Sequence, residues 1–221
     1  RLGDLVEHHA VHLAALQGLL PQRLQQVPAA RLPLTVGVRR QIEGVRLAQR
    51  RLDGLHDRAC AAHDLPGGGK VGFDIDGGFT DGRFYLSDDG IESKSFFTQD
   101  GFGIRQLMNA GIQVAVISGR QSIAVDRRMA ELGVKYVEQG CKDKVMAFDA
   151  VADELGVRRE ETAYVGDDVT DINLLKHVGF AIAVANAAPE VKSIANAVTI
   201  AMGGAGAVRE VCDQILSAAG N

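Results

Sequence analysis

The 221 residues are 46% hydrophobic and 24% charged, which is the composition of a globular chain and excludes an intrinsically disordered one. The length suits one α/β domain of ordinary size with a smaller appendage. The net charge of −4 is uneven, because residues 1–66 hold nine Arg against six Asp and Glu, a net of +3 that leaves −7 for residues 67–221. An acidic main segment argues against nucleic acid as a partner.

Membrane insertion and disulfide bonding are not expected from the sequence. No apolar run reaches the roughly 18 residues of a bilayer-spanning helix, and the opening RLGDLVEHH lacks the apolar stretch of a signal peptide. The odd number of widely spaced cysteines argues for a reducing compartment, so we expect a cytoplasmic protein. These cysteines are Cys60, Cys141 and Cys212.

Residues 1–66 predict a helical N-terminal extension, and residues 67–221 predict the main domain. Apolar residues recur three or four apart over about residues 36–61, and prolines separate this stretch from an earlier helical one. The resulting helical hairpin packs either on the main domain or on a partner, and the sequence leaves both open. The spacing of its histidines matches no standard zinc pattern. Pro66 and the three glycines after it form a flexible break.

From Lys70 onward, short apolar runs alternate with helical patterns, which predicts an α/β fold with a doubly wound parallel sheet. A β-hairpin interrupts this pattern early, because residues 83–85 and 93–97 alternate around the turn sequence SDDG. The predicted strands are 71–75, 114–118, 136–138, 163–166 and 180–184, and the predicted helices are 102–110, 123–132, 142–155, 172–177, 189–195 and 206–216.

The first polar motif, FDIDGGFTDG, places Asp74 and Asp76 at the end of a buried strand. Two such acids are costly there unless they are paired or bind a metal. A turn with helix-capping aspartates is the alternative reading, and D-x-D-G alone does not decide between them.

Two further motifs follow the next strands. Ser118 and Gly119 end a strand in VISGR, where a hydroxyl and backbone N–H groups can face a phosphate. Lys144 begins a helix in GCKDK, where its charge opposes the helix dipole and favours an anionic partner. A plain N-cap and a solvated lysine remain the alternatives for each motif taken alone.

The fourth motif, VGDDVTD, places Asp167, Asp168 and Asp171 within five residues after an apolar strand. Such acids repel one another without a cation, and purely oxygen ligands suit Mg²⁺ better than zinc. Helix capping is again the alternative. An acid pair, a hydroxyl, a lysine and an acid cluster on successive strands together favour phosphoryl transfer, because ligands bind at the carboxyl ends of such sheets.

These motifs resemble the haloacid dehalogenase-like phosphatase superfamily, and within it the 3-deoxy-D-manno-octulosonate 8-phosphate phosphatases. The similarity runs from Lys70 to about Ile215, which is roughly two thirds of the chain. The stretches that carry it are DIDGGFTDGRFY, the hairpin with SDDG, QDGFGIRQL, AGIQVAVISGR, QGCKDK, AYVGDDVTD and GGAGAVREVCD.

The resemblance implies a magnesium-dependent phosphatase of a small acidic sugar phosphate in lipopolysaccharide biosynthesis. It implies that Asp74 attacks phosphorus and that Asp76 serves as general acid and then general base. It further implies that Mg²⁺ is held by Asp74, the backbone carbonyl of Asp76, and Asp167, and that Ser118 and Lys144 bind the phosphoryl oxygens.

The remaining implied roles concern substrate and assembly. Asp168 and Asp171 would orient Lys144 or metal-bound water. The implied substrate-binding set consists of Arg105, Arg120 and Arg128 together with Lys144. The resemblance also implies that the protein has no large cap domain and forms a homotetramer. In such a tetramer the hairpins meet centrally, and a neighbour's tail (here residues 203–209) helps close the site.

The chain departs from its relatives in the substrate shell. Phe97 stands where a polar residue is usual, Gln99 and Ala205 each replace an arginine, and Gly78 replaces a bulky apolar residue. These changes add a second candidate substrate, a nine-carbon sialic-acid-type 9-phosphate. A catalytically inactive assembly module is a further alternative, but the four intact motifs count against it.

Overall fold

A computed structural model describes residues 70–219, so the predicted extension over 1–66, its histidines and its boundary lie outside the described residues. Strands and helices alternate along the described part, as the sequence predicts. In chain order the elements are β1 (Lys70–Phe73), the hairpin strands β2 (Tyr85–Leu86) and β3 (Glu92–Ser93), α1 (Thr98–Asn109), β4 (Gln113–Ile117), α2 (Ile123–Leu132), β5 (Tyr136–Glu138), α3 (Lys144–Leu155), β6 (Thr162–Gly166), α4 (Ile172–Leu175), β7 (Phe180–Ala183), α5 (Pro189–Ile194), β8 (Ala197–Val198) and α6 (Ala207–Ala218).

The main sheet has six parallel strands in the order β5-β4-β1-β6-β7-β8. β1 lies near the middle and pairs with β4 on one side and β6 on the other. The winding of the chain reverses at this point, so the carboxyl ends of these three strands border one crevice. No helix among residues 70–219 is long and apolar enough to cross a membrane.

The core is aliphatic, with a few aromatic pairs that fix the central strands. The rings of Phe148 and Tyr164 meet edge to face at 6.3 Å, and those of Phe73 and Phe79 do so at 6.1 Å. Gly72 lies against Tyr164, and a Cβ there would come within 2.8 Å of that ring. The backbone of β1 therefore lies close against the Tyr164 side chain of β6.

The observed elements differ from the sequence prediction mainly at their ends. α1 begins at Thr98 and not at residue 102, and β8 was not predicted. The hairpin is confirmed, but its strands are shorter and shifted, because Tyr85 pairs with Ser93 and Leu86 with Glu92. The turn at Ser87 closes tightly, since its N–H donates to Ile91 O at 3.1 Å, and this fixes the register of the two strands.

Asp100 lies in the first turn of α1 and caps a different helix, α6. Its side chain is fully buried, and its Oδ1 accepts the backbone N–H of Arg209 in α6 at 2.8 Å. Within the described residues its Oδ2 has no hydrogen-bond partner. Burial raises the pKa of Asp100 from 3.8 to about 6, although the backbone N–H groups of α6 oppose the shift.

Asp100→Asn is expected to remove a pH dependence of stability. A carboxyl whose pKa is raised in the folded state stabilises the fold at low pH and loses that contribution as pH rises through the folded value. Relative to the variant, the wild-type free energy of unfolding should fall by about 3 kcal/mol between about pH 3.5 and about pH 8. Urea denaturation of both proteins across this range checks it, and a constant difference would contradict it.

Candidate active site

The crevice at the ends of β1, β4 and β6 contains a cavity of about 580 Å³. All four sequence motifs reach it, although they are far apart along the chain. The predicted site residues on its walls are Asp74, Asp76, Ser118, Arg120, Lys144, Asp167 and Asp168.

The first motif forms a single tight turn after β1. Asp74 is buried, and its N–H donates to Val165 O at 2.9 Å, which holds it to β6. The chain then turns over residues Ile75–Phe79, and Thr80 N–H closes the turn on Ile75 O at 2.9 Å. The Asp74 and Asp76 carboxylates therefore both border the cavity, although β1 itself ends at Phe73.

Two neighbouring glycines in this turn provide a matched test. Gly77 has φ of 95°, and a Cβ there would overlap the Asp167 carboxyl. A Cβ at Gly78 would meet only Asp74 Cβ, at 3.9 Å. Gly77→Ala should lower the free energy of unfolding by about 2 kcal/mol or more, whereas Gly78→Ala should change it by about 0.5 kcal/mol. Urea denaturation of both variants checks this, and equal effects would contradict it.

Lys144 connects two buried carboxylates. Asp143 caps α3 by accepting the N–H groups of Val145 and Met146, which fixes Lys144 as the first helical residue. Its Nζ lies 2.7 Å from both Asp74 Oδ1 and Asp171 Oδ1. Burial alone would lower the pKa of Lys144, but the two carboxylates outweigh it and raise that pKa above its ordinary value. A solvated lysine, the alternative interpretation, does not describe this residue.

Asp171 is fully buried, and its oxygens are already engaged. Oδ2 accepts the backbone N–H of Asp167 at 3.0 Å and of Asp168 at 3.3 Å, while Oδ1 faces Lys144. The Tyr164 hydroxyl lies 3.3 Å from the same Oδ1. Asp171 therefore orients Lys144 and the loop after β6. Asp168 is exposed and caps the following turn through Val169 N–H at 2.7 Å.

Asp74, Asp167 and Asp171 each offer an oxygen within 4.8 Å of the others, which is compact enough for one cation. Burial and then the Asp171 charge raise the pKa of Asp74. Burial, Asp171 and Asp168 likewise raise the pKa of Asp167 to about 7. Asp167 Oδ1 is buried and, in the described part of the chain, has no hydrogen-bond partner. Since Asp171 is engaged, Asp74 and Asp167 are the carboxylates left to bind a cation, and oxygen ligands fit Mg²⁺.

Ser118 directly follows β4 and is buried beside the cavity. Its Oγ accepts the backbone N–H of Arg120 at 3.2 Å, which shapes the loop as a small anion-facing turn. Gln139 supports this loop from behind, because its Oε1 accepts Ser122 N–H at 3.0 Å. Ser118 lines the same cavity as Asp74 and Asp167.

The hairpin brings two residues to the site that the sequence analysis missed. Lys94 Nζ donates a hydrogen bond to Asp76 Oδ1, and the Lys94 side chain has no exposed surface. Glu92 Oε2 accepts Arg120 Nη2 at 3.0 Å, and the Arg120 guanidinium lies 4.2 Å from the Phe84 ring centroid. The available signal was the two-residue spacing of Glu92 and Lys94, which places both on one face of a strand.

Arg105 and Arg128 do not reach the cavity of their own chain. Arg105 Nη2 donates to the backbone O of Glu131 at 2.8 Å, and Arg128 Nη1 pairs with the Glu131 carboxylate at 2.8 Å. Arg105 therefore links α1 to α2, whereas the Arg128–Glu131 pair lies within α2. Of the three predicted substrate arginines, the structure places Arg120 at the cavity.

The glycine-rich tail contacts the first motif of the same chain. Gly204 N–H donates to Gly78 O at 3.2 Å, and a Cβ at Gly203 would overlap Gly77 O. Phe97 lies nearby, since a Cβ at Gly206 would come within 3.6 Å of its ring. Two departures from the relatives, Phe97 and Ala205, thus lie in the same region.

The doubly wound sheet and this set of side chains define a phosphomonoester hydrolase of the haloacid dehalogenase-like class. A family model for haloacid dehalogenase-like hydrolase matches residues 137–208. The 3-deoxy-D-manno-octulosonate 8-phosphate phosphatase of Escherichia coli K12 is 43% identical over 147 residues, which cover 66% of this chain and 78% of that protein. The chain therefore belongs to the 3-deoxy-D-manno-octulosonate 8-phosphate phosphatase family.

Solved structures of relatives have the same fold and contain metal ions. The Moraxella catarrhalis phosphatase, in complex with magnesium, phosphate and KDO, has a TM-score of 0.71 at 37% identity and covers 76% of this chain and 92% of that one. The cobalt-bound Haemophilus influenzae phosphatase has a TM-score of 0.67 at 42% identity and covers 70% and 90%. These structures agree with Mg²⁺ as the cofactor that the acid cluster fits.

Proposed function

We propose that the protein hydrolyses 3-deoxy-D-manno-octulosonate 8-phosphate or a closely related ulosonate phosphate, with Asp74 as the nucleophile. The observation that carries this proposal is the buried group of Asp74, Lys144 and Asp171, in which one lysine lies 2.7 Å from both carboxylates. Beside it, an Asp167 oxygen has no hydrogen-bond partner among residues 70–219. The relatives from Escherichia coli and Moraxella catarrhalis support the choice of sugar.

The reaction proceeds in two displacements at phosphorus. An Asp74 carboxylate oxygen bonds to phosphorus while the bond to the sugar oxygen breaks, and Asp76 gives that oxygen its proton. Asp76 then takes a proton from water, whose oxygen bonds to phosphorus and releases inorganic phosphate from Asp74. Lys144 and Ser118 bind the phosphoryl oxygens, and Arg120 holds the substrate's acidic groups. Mg²⁺, held by Asp74, the backbone carbonyl of Asp76, and Asp167, neutralises charge between the two anions.

Mg²⁺ is expected to stabilise the protein more as pH rises. The raised pKa values of Asp74 and Asp167 mean that the metal-free fold retains protons and loses stability as pH rises towards about 7. Metal binding replaces those protons. The Mg²⁺-induced rise in Tm should be about 3 °C larger at about pH 8 than at about pH 6. Thermal denaturation with Mg²⁺ or EDTA checks this, and Asp167→Asn should abolish the difference.

A comparison of substrates tests the function itself. Phosphate release would be measured from 3-deoxy-D-manno-octulosonate 8-phosphate, a nine-carbon ulosonate 9-phosphate and glucose 6-phosphate, each with Mg²⁺ and with EDTA. We expect the highest kcat/KM on the eight-carbon substrate and no turnover in EDTA. Equal, weak turnover on all three would overturn the assignment. The relatives from Escherichia coli and Moraxella catarrhalis favour neither the nine-carbon substrate nor the inactive module.

The homotetramer and the cytoplasmic location are part of the same proposal. The hairpin exposes the apolar side chains of Tyr85, Leu86 and Ile91, which a central contact between subunits would cover. In such an assembly Arg105 and Arg128 can serve another subunit's cavity, whereas Gly203 and Gly204 of the tail pack on the first motif of their own chain. Sedimentation equilibrium should give four times the 23.5 kDa chain mass.

A further inference from the structure

Four charged side chains of alternating sign form a closed ring, of which Asp76 and Arg120 line the cavity. Lys94 Nζ donates to Asp76 Oδ1 and lies 3.9 Å from Glu92 Oε1. Glu92 Oε2 lies 3.0 Å from Arg120 Nη2, and Arg120 Nε lies 3.9 Å from Asp76 Oδ2. The ring thereby joins the hairpin to the turn after β1 and to the loop after β4.

The two cations of this ring differ in freedom. The Arg120 side chain is 49% exposed, so it can follow a ligand into the cavity. The Lys94 side chain has no exposed surface, and a buried ammonium is tolerated only beside carboxylates. Lys94 is therefore the fixed partner of Asp76, because its buried side chain has no solvent to turn into.

The contact constrains one oxygen of Asp76 and not the other. Lys94 occupies Oδ1 from the hairpin side, while Oδ2 faces the Arg120 side of the cavity at a longer distance. A carboxylate held at one oxygen by a fixed donor presents the other in one direction. A freely rotating carboxylate would present either oxygen in several directions.

We propose that Lys94 is a positioning residue that holds Asp76 Oδ1 and so directs Oδ2 towards the leaving oxygen of the substrate. This inference rests on the proposed function, in which Asp76 supplies the proton to the departing sugar oxygen. The Oδ2–H bond breaks as the new O–H bond forms on the sugar, and Lys94 keeps its own proton throughout. Lys94 thus acts on the reaction through the geometry of Asp76.

Leaving-group dependence separates this role from a merely structural one. A sugar alkoxide needs a proton to depart, whereas p-nitrophenolate departs without one. In Lys94→Met we expect kcat on 3-deoxy-D-manno-octulosonate 8-phosphate to fall about 100-fold, with a loss below about tenfold on p-nitrophenyl phosphate. Lys94→Arg, which keeps a cationic donor, should recover at least about a tenth of the wild-type rate. Lys135→Met, at an exposed position after α2, is the matched control and should change neither rate.

Three results would overturn the inference: equal losses on both substrates, a change confined to KM, or no change. Thermal stabilisation by Mg²⁺ with beryllium fluoride shows that each variant folds and keeps the Asp74 site. Lys94→Gln replaces Lys94→Met if the latter does not fold, and it must show the same selective loss. Failure of the proposed function is distinguishable, because wild-type protein would then release phosphate from neither substrate.

Discussion

Asp74→Asn is expected to lower kcat for phosphate release by about 10⁴-fold, because the amide cannot attack phosphorus. The substitution keeps the shape of the side chain and an acceptor for Lys144 Nζ, which lies 2.7 Å from Asp74 Oδ1. It also removes one negative charge from a buried acid cluster that raises the pKa of Asp74. The metal-free variant should therefore be at least as stable as the wild-type protein.

Stability and activity measured together make this result specific. Loss of activity without loss of the free energy of unfolding cannot come from unfolding, and Mg²⁺ should no longer raise Tm. Asp153→Asn, the same chemical change at an exposed position of α3, should leave both quantities unchanged. Phosphate release by Asp74→Asn above about a tenth of the wild-type rate would contradict the assignment of the nucleophile.

Lys144→Met is expected to affect both stability and catalysis. Removing the ammonium leaves Asp74 and Asp171 facing each other in a buried site, which should cost about 3–5 kcal/mol in the metal-free protein. The same change removes a donor to the phosphoryl oxygens, so kcat should fall by about 10²- to 10³-fold. Both effects follow from two contacts of 2.7 Å made by one side chain that is 9% exposed.

The pH dependence of this variant distinguishes charge from packing. The loss of stability should be largest at about pH 8 and should shrink at about pH 5, where the buried Asp74 carboxylate, left without Lys144, takes up a proton. Lys176→Met, at the exposed end of α4, should change the free energy of unfolding by less than about 0.5 kcal/mol. A pH-independent loss in Lys144→Met would show that only side-chain packing was removed.

The sequence was sufficient to predict the centre of the site because parallel strands bring their carboxyl ends together. Asp74, Ser118, Lys144 and Asp167 each follow a different strand, and strand alternation alone predicts that they meet. The sequence also predicts the hairpin from its turn residues. It does not predict the fixed contact between Lys94 and Asp76, because that depends on how the hairpin folds back over the sheet.

The remaining differences arise from contacts between helices. Local pattern does not show that Asp100 caps α6, since its partner is Arg209, more than one hundred residues away. Helical spacing likewise does not fix which neighbour an arginine reaches. Arg105 and Arg128 both turn to Glu131 on α2 and stay outside the cavity, whereas Arg120 sits on a loop that borders it.

Trapping the phosphorylated enzyme tests the central claim most directly. The protein would be mixed with Mg²⁺ and substrate, quenched in acid, and treated with borohydride, which reduces an aspartyl-phosphate to homoserine. Peptide mass spectrometry should then find homoserine at position 74 in the wild-type protein with Mg²⁺, and not with EDTA or in Asp74→Asn. Homoserine at another aspartate, or none during active turnover, would contradict Asp74 as the nucleophile.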